Sequence, residues 1–284
     1  MFSRIFAKFF WDAYDYLGRL ILANILFSLI LLGLTAALTA LLYPLYAGLN
    51  KPTLILALGT GLLAILALPF PAAGFCHFLS LITEEKEPEF RDFTKGLKIF
   101  YWPLVKLTAL FVLLFEILGL NIFFYLSARA IPPSLKIVSA IIPGICAWIV
   151  LYLLAMMLYA YPLTVHQKKV GMKKILIRSF LLVLDNIGVT LLTMIVFLGL
   201  VGMGLVTKGA AFFILNLALV ASLSNSLYVN VMEKYELREA EKKAQEDSSA
   251  PPASWKDMKP REFIEDRHKR YRRTLKDILK PWEY

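Results

Sequence analysis

Six long apolar runs fill the first 232 residues, at about 20–46, 53–82, 103–127, 135–163, 178–206 and 209–232. A helix crosses the hydrocarbon core of a bilayer in ~20 residues, and each run is long enough to do so. Lipid offers no partner to an unpaired backbone amide or carbonyl, so such a run crosses as a helix. The predicted fold is an all-α membrane protein: a six-transmembrane-helix bundle over residues 1–232, then a charged helical tail over 233–284 with a linker near 248–260. Several runs exceed the needed length, which predicts tilting or kinking. Pro69 and Pro71 in the second run, and Pro143 followed by Gly144 in the fourth, are the expected kinks, either as packing features or as hinges. A re-entrant pair of runs would leave four spans.

The N-terminal run is no secretory leader by this reading, because Leu20 to Tyr46 far exceeds an apolar h-region of ~7–15 residues. Charged residues are 18% of the chain, and most of them lie between the runs or in the tail. The net charge of +10 is therefore read as loops flanking spans, in preference to a nucleic-acid surface. Cys76 and Cys146 both fall within apolar runs with no CxxC spacing, and buried packing is their expected role.

Lys and Arg set the direction of the spans. If the six runs alternate, 27 of the 31 lie on the side of the two termini, and only Lys51, Arg129, Lys136 and Lys208 lie on the other. Positive charge is retained inside, which predicts both termini in the cytoplasm.

The segments before the odd-numbered spans resemble one another. FSRIFAKFFWDAYDYLGR repeats Phe2, Ile5, Phe6, Phe9, Phe10 and Ala13 at helical spacing, with Arg4, Lys8 and Asp12 elsewhere. EFRDFTKGLKIFYW places Phe90, Phe93, Leu97, Phe100 and Tyr101 on one face, and GMKKILIRSF is a shorter version. Each reads as an amphipathic helix in the interface turning into the next span. The bundle then parses as three units of interfacial helix, outward span and returning span.

Ionisable groups inside spans are costly and are functional candidates by default. Glu116 falls near the middle of the third span, and two readings stand: a neutral carboxyl bonded to a neighbouring helix, or a proton or cation site. Asp185 and Asn186 fall about two turns into the fifth span. Lys106 and Arg19 can snorkel to the headgroups, but the short Asp185 cannot, so it is expected to pair with a group from span one or three, Lys106 first. In span six, Ser222, Asn225, Ser226 and Asn230 share one face. With Asn24, His77, Thr164 and His166 they are expected in the cytoplasmic half, which suits either interhelical hydrogen bonding or a cytoplasm-facing cavity for a solute or lipid. Gly199, Gly202 and Gly204, and the pair Ala36 and Ala40, read as packing contacts.

The tail offers a basic run, with Arg267, Lys269, Arg270, Arg272 and Arg273 as candidate contacts to anionic lipid headgroups. Docking of a membrane or cytoplasmic protein partner is the competing use of this segment, and nucleic acid is not expected. No phosphate loop, dinucleotide fingerprint, zinc spacing or nucleophile elbow appears, so neither catalytic residues nor a metal nor a cofactor is expected.

The segments FWDAYDYLGRLILANILF, LPFPAAGFCHFLSLI, EFRDFTKGLKIFYW, LLVLDNIGVTLL and RTLKDILKPWE make the chain resemble the YesL-like family of bacterial multi-pass membrane proteins of unknown function. That resemblance implies a protein of the bacterial cytoplasmic (inner) membrane, with some members associated with carbohydrate uptake, and it carries over no site residues. The first functional expectation is a non-enzymatic accessory or scaffold of a transport or envelope complex. The alternative is a small-solute transporter or lipid-handling protein that uses a polar cavity and Glu116.

Overall fold

The computed structural model describes residues 2–47, 52–84, 86–127, 136–167 and 170–246, and among them helices and short connections account for the whole, with no strand. Helix α1 (Phe2–Asp15) leads into α2 (Leu17–Ala47), and α3 (Pro52–Ala67) into α4 (Pro69–Thr83). Next come two long helices, α5 (Phe90–Ser127) and α6 (Lys136–His166). Helix α7 (Met172–Asp185) leads into α8 (Ile187–Val206), and a π-helical turn (Phe212–Asn216) opens α9 (Leu217–Glu246). Six stretches are long and apolar enough to cross a membrane: Leu17–Ala37, Gly61–Thr83, Phe90–Leu126, Ile141–His166, Ile187–Val206 and Phe212–Arg238. One falls in each of the six runs, as a multi-pass membrane protein requires. The linker near 248–260 and the basic residues Arg267, Lys269, Arg270, Arg272 and Arg273 lie outside the described residues.

The second and fifth spans depart from the expected boundaries. The second run is split at Leu68, because Pro69 has no amide to donate and its ring crowds the preceding turn. The Tyr101 hydroxyl of α5 donates to the Leu66 carbonyl at this kink, at 3.1 Å. Pro143 lies instead within a continuous α6. In the fifth run the helix stops at Asn186, whose backbone leaves the helical region (φ −124°, ψ 35°). Residues 178–185 therefore belong to α7, and the span begins at Ile187. A similar break separates α1 from α2 at Tyr16. The two breaks share a local sequence, Asp15-Tyr16-Leu17-Gly18 and Asp185-Asn186-Ile187-Gly188.

Helices α4 and α9 form the centre of the bundle. In their spans 56% of the most apolar window is buried, against 17–33% in the other four, whose outer faces present Leu, Ile and Phe to the surroundings. Cys76 and Cys146 are both buried free thiols. Helix α5 lies tightly on α4 because Gly96 has no side chain: a Cβ there would stand 2.6 Å from the Ala73 carbonyl oxygen. Around this seam the rings of Phe78 and Phe93 stack at 4.2 Å. The three-residue turn from α8 to the sixth span places Gly209 at φ +92°, a conformation open to glycine at little cost.

The segments before the odd spans prove unlike one another. Helix α1 does not spread its polar side into water. Lys8 and Asp12 are buried and paired at 2.9 Å, while Phe6, Phe10 and Tyr14 are exposed. The same inner face buries Ile5, Phe9, Trp11 and Ala13, while Ser3, Arg4 and Asp15 are exposed, so the Lys8–Asp12 pair is enclosed within an otherwise apolar contact. The segment before the third span does not turn at all but continues into α5, a single helix of 38 residues. Helix α7 stays a separate amphipathic helix, burying Ile175, Ser179, Leu182 and Val183 and exposing Ile177, Phe180 and Leu181.

Candidate functional site

The polar stripe of α9 is where most of the expected site residues gather. Ser222, Asn225, Ser226 and Asn230 are all buried. Ser222 Oγ donates to the Phe9 carbonyl of α1 at 3.4 Å. Asn225 Nδ2 donates to Thr83 Oγ1 at the end of α4, at 3.3 Å, and its Oδ1 lies 3.0 Å from His166 Nε2 at the end of α6. That second contact places a ring proton of His166 on Nε2. Next to the stripe, Ser224 Oγ donates to the Leu158 carbonyl of α6 at 2.5 Å. Asn230 Nδ2 turns back to the Ser226 carbonyl of its own helix at 2.8 Å. Ser226 Oγ is buried with no hydrogen-bond partner among the described residues. The stripe thus ties α9 to α1, α4 and α6, and each such contact averages ~0.6 kcal/mol in membrane proteins.

Asn24 does not join this stripe. It is fully buried, and its Nδ2 donates to the carbonyls of Phe212 and Phe213 at 2.7 and 2.9 Å, while its Oδ1 accepts from the Ala218 amide at 3.0 Å. A π-helical turn takes carbonyls out of α-helical register, and Asn24 supplies the donors they lack. Asn216 Nδ2 fastens the same turn to α8 through the Leu200 carbonyl, at 2.7 Å. The expectation that Asn24 belongs with the span-six stripe is therefore corrected: it meets the start of that span, at the end next to the α8 turn.

The expected pairing of Asp185 with Lys106 is also overturned. The Tyr235 hydroxyl of α9 donates to Asp185, and Lys234 Nζ stands 3.9 Å away. Lys234 Nζ donates to Asn186 Oδ1 at 2.8 Å, and Asn186 Nδ2 donates to Tyr235 at 3.0 Å. The break at Asn186 explains the difference. It puts Asp185 at the end of α7, outside the span, with its side chain half exposed and facing the continuation of α9. The Tyr235 hydrogen bond, aided by Lys234, holds the Asp185 carboxyl below the usual carboxylate range.

Lys106 stands apart, exposed, in a cleft of about 320 Å³ whose walls include Trp102, Thr164, Gln167 and Ile175. Glu116 is half-buried beside α3: a Cβ on Gly61 would come 3.1 Å from its Oε1. A second void, of about 240 Å³, lies between α4, α6, α8 and α9, with apolar walls such as Phe75, Met157, Phe197 and Val220. The polar residues expected to surround one cavity are thus divided among four places: the α9 stripe, the π turn, the α7–α8 break and the Lys106 cleft. Glu116 joins none of them.

The pair Lys8 and Asp12, and the partners Lys234 and Tyr235, escaped sequence reasoning. The repeated Asp-x-aliphatic-Gly at residues 15–18 and 185–188 was the signal that would have placed both breaks. Among the described residues no three metal-binding side chains converge. No protein-family model, curated protein or solved structure matches the chain.

Proposed function

We propose that this chain is a non-enzymatic accessory or scaffold of a transport or envelope complex in a bacterial inner membrane. Both termini face the cytoplasm, and its fold is three units of pre-span segment, outward span and returning span. The positive-inside distribution of Lys and Arg supports the orientation, and the shared breaks before α2 and α8 support the repeat. The resemblance to the YesL-like family agrees with this setting. The observation that carries the reading is the pairing of the α9 polar stripe. Ser222, Asn225 and their neighbour Ser224 spend their hydrogen bonds on α1, α4 and α6, as parts of a rigid body do, and not on a space that a solute would enter. The charged tail is then the surface that contacts a partner or anionic lipid headgroups.

The apolar void between α4, α6, α8 and α9 favours a second reading, a lipid-handling protein that takes a hydrocarbon chain there. Affinity purification of the full chain from native membranes separates the two. A permease or ATPase subunit recovered in fixed stoichiometry, and lost on removal of residues 247–284, is the expected result. Recovery of the chain alone with bound lipid or sugar contradicts the accessory role.

A further inference from the structure

Lys106 is the one expected site residue that the fold leaves with a cavity of its own. Like Lys98, Lys173 and Lys174, it makes no ion pair among the described residues, but it alone of these lines the cleft. Its cleft lies between α5, the end of α6 and the start of α7. None of the described residues lining it carries a carboxylate. Arg178 donates to Gln167 Oε1 and the Tyr228 oxygen takes one Gln167 N–H, so the amide has one N–H left to offer. The rest of the wall is mainly apolar, with Trp102, Pro103, Leu107 and Ile175 among it.

The mouth of the cleft is equally telling. Ile99 and Trp102 line it and are 53% and 66% exposed, so it opens sideways where an apolar surface meets the surroundings. Tryptophan sits by preference at the level of lipid headgroups. A volume of about 320 Å³ is at the lower end of small-molecule pockets, which run ~300–1,000 Å³. It suits a polar head whose hydrocarbon remains outside, along Ile99 and Trp102.

We propose that the α5–α6–α7 cleft is a binding site for the phosphate headgroup of an anionic phospholipid, with Lys106 as the charge that selects it and Gln167 as a polar contact; the Thr164 hydroxyl donates to the Ala160 carbonyl and only lines the wall. The acyl chains lie in the bilayer against α5. This inference goes beyond the accessory reading and does not depend on any partner complex. A lipid held there would brace the start of α7 against α5.

The test uses the full chain reconstituted in phosphatidylcholine bilayers containing a small fraction of spin-labelled phosphatidylglycerol. The readout is the preference for the motionally restricted anionic lipid over spin-labelled phosphatidylcholine. Lys106→Gln is expected to lower that preference about tenfold, the ratio equivalent to ~1.4 kcal/mol, and Lys106→Arg to keep it. Lys173→Gln removes an exposed cation of α7 that does not line the cleft, and is expected to change the preference less than about twofold, as one screened surface charge does. Equal losses in Lys106→Gln and Lys173→Gln overturn the site and leave a diffuse basic surface. Displacement of the lipid by inorganic phosphate at matched ionic strength, without effect from sodium chloride, overturns the lipid as ligand in favour of free phosphate. Should Lys106→Gln fail to reconstitute, the Lys106→Arg protein with Gln167→Leu carries the test: loss of preference supports the cleft, and an unchanged preference rejects it.

Discussion

Helices α1 and α7 precede spans in the same way and end at breaks of the same local sequence, yet α1 packs along α9, whereas α7 packs along α6 and reaches α9 through its last residue. Helix α1 turns a mixed face inward, with Ile5, Phe9, Trp11 and Ala13 beside Lys8 and Asp12. Its Lys8–Asp12 pair is buried, and the aromatic residues Phe6, Phe10 and Tyr14 are left outside. Helix α7 keeps its lysines exposed and reaches α9 through its final residue, Asp185, with the carboxylate half exposed to its surroundings. The difference teaches that amphipathic spacing fixes which residues share a face but not which face the protein covers. In water the apolar face is covered. Beside lipid, the polar face needs cover as much, because an unpaired charge or carbonyl has no other partner there.

The largest expected effect falls on the buried pair. Asp12→Ala leaves the Lys8 ammonium buried without its partner carboxylate, and breaking one side of such a pair costs ~3–5 kcal/mol. Thermal unfolding of the purified full chain checks this. The double variant Lys8→Met with Asp12→Leu should regain most of the loss, because apolar residues of similar size remove the unpaired charge. If Asp12→Ala unfolds no earlier than an Asp185→Ala protein, the contrast between the two helices is wrong.

The third pre-span segment sharpens the comparison, because the first turns of α5 combine close packing on α4 with a buried Asp92 that accepts from the Glu89 amide and pairs with Lys95 at 2.6 Å. Gly96→Ala drives a Cβ to 2.6 Å from the Ala73 carbonyl oxygen, a backbone atom with little freedom to move. Overpacking of this kind costs ~1–3 kcal/mol. Thermal unfolding again reads it, and a Gly18→Ala protein, where a Cβ meets nothing within 4 Å, should lose less than Gly96→Ala.

The smallest effect belongs to Asp185, and its pH dependence has a definite sign. The folded carboxyl titrates below its ordinary value, so its contribution is present above the usual Asp range, ~3.9, and is lost as pH falls through the folded value. Wild type should therefore unfold later than Asp185→Ala at neutral pH, and the two should converge in acid. Curves separated by the same amount at every pH would show that the carboxylate is not what holds α7 to Tyr235.

Much of the bundle was legible from the runs themselves, since uncharged length at membrane scale leaves a helix as the one available structure. The proline kink at Leu68 was legible for the same local reason. The site was not. Placing Asp185 in span five rested on counting residues from Arg178, and the count failed because Asn186 interrupts the helix. Asn24 was recognisable as polar, but its partner is a pair of backbone carbonyls freed by a π turn, and nothing in FFILN announces one. Lys8 and Asp12 stand one helical turn apart, yet their pairing went unread. That they are buried depends on the stripe of α9, more than two hundred residues away.

The account rests on the α9 stripe being a closed set of contacts between helices. Ser226 tests it most directly, because its hydroxyl is buried, makes no hydrogen bond among the described residues, and can be exchanged for a thiol with little change of volume. With Cys76 and Cys146 replaced, a Ser226→Cys protein in native membranes should resist a membrane-impermeant maleimide from either side and react only after denaturation, while Lys173→Cys reacts at once. Labelling of Ser226→Cys at a rate near that of Lys173→Cys would mean that water fills the stripe, and would contradict the account.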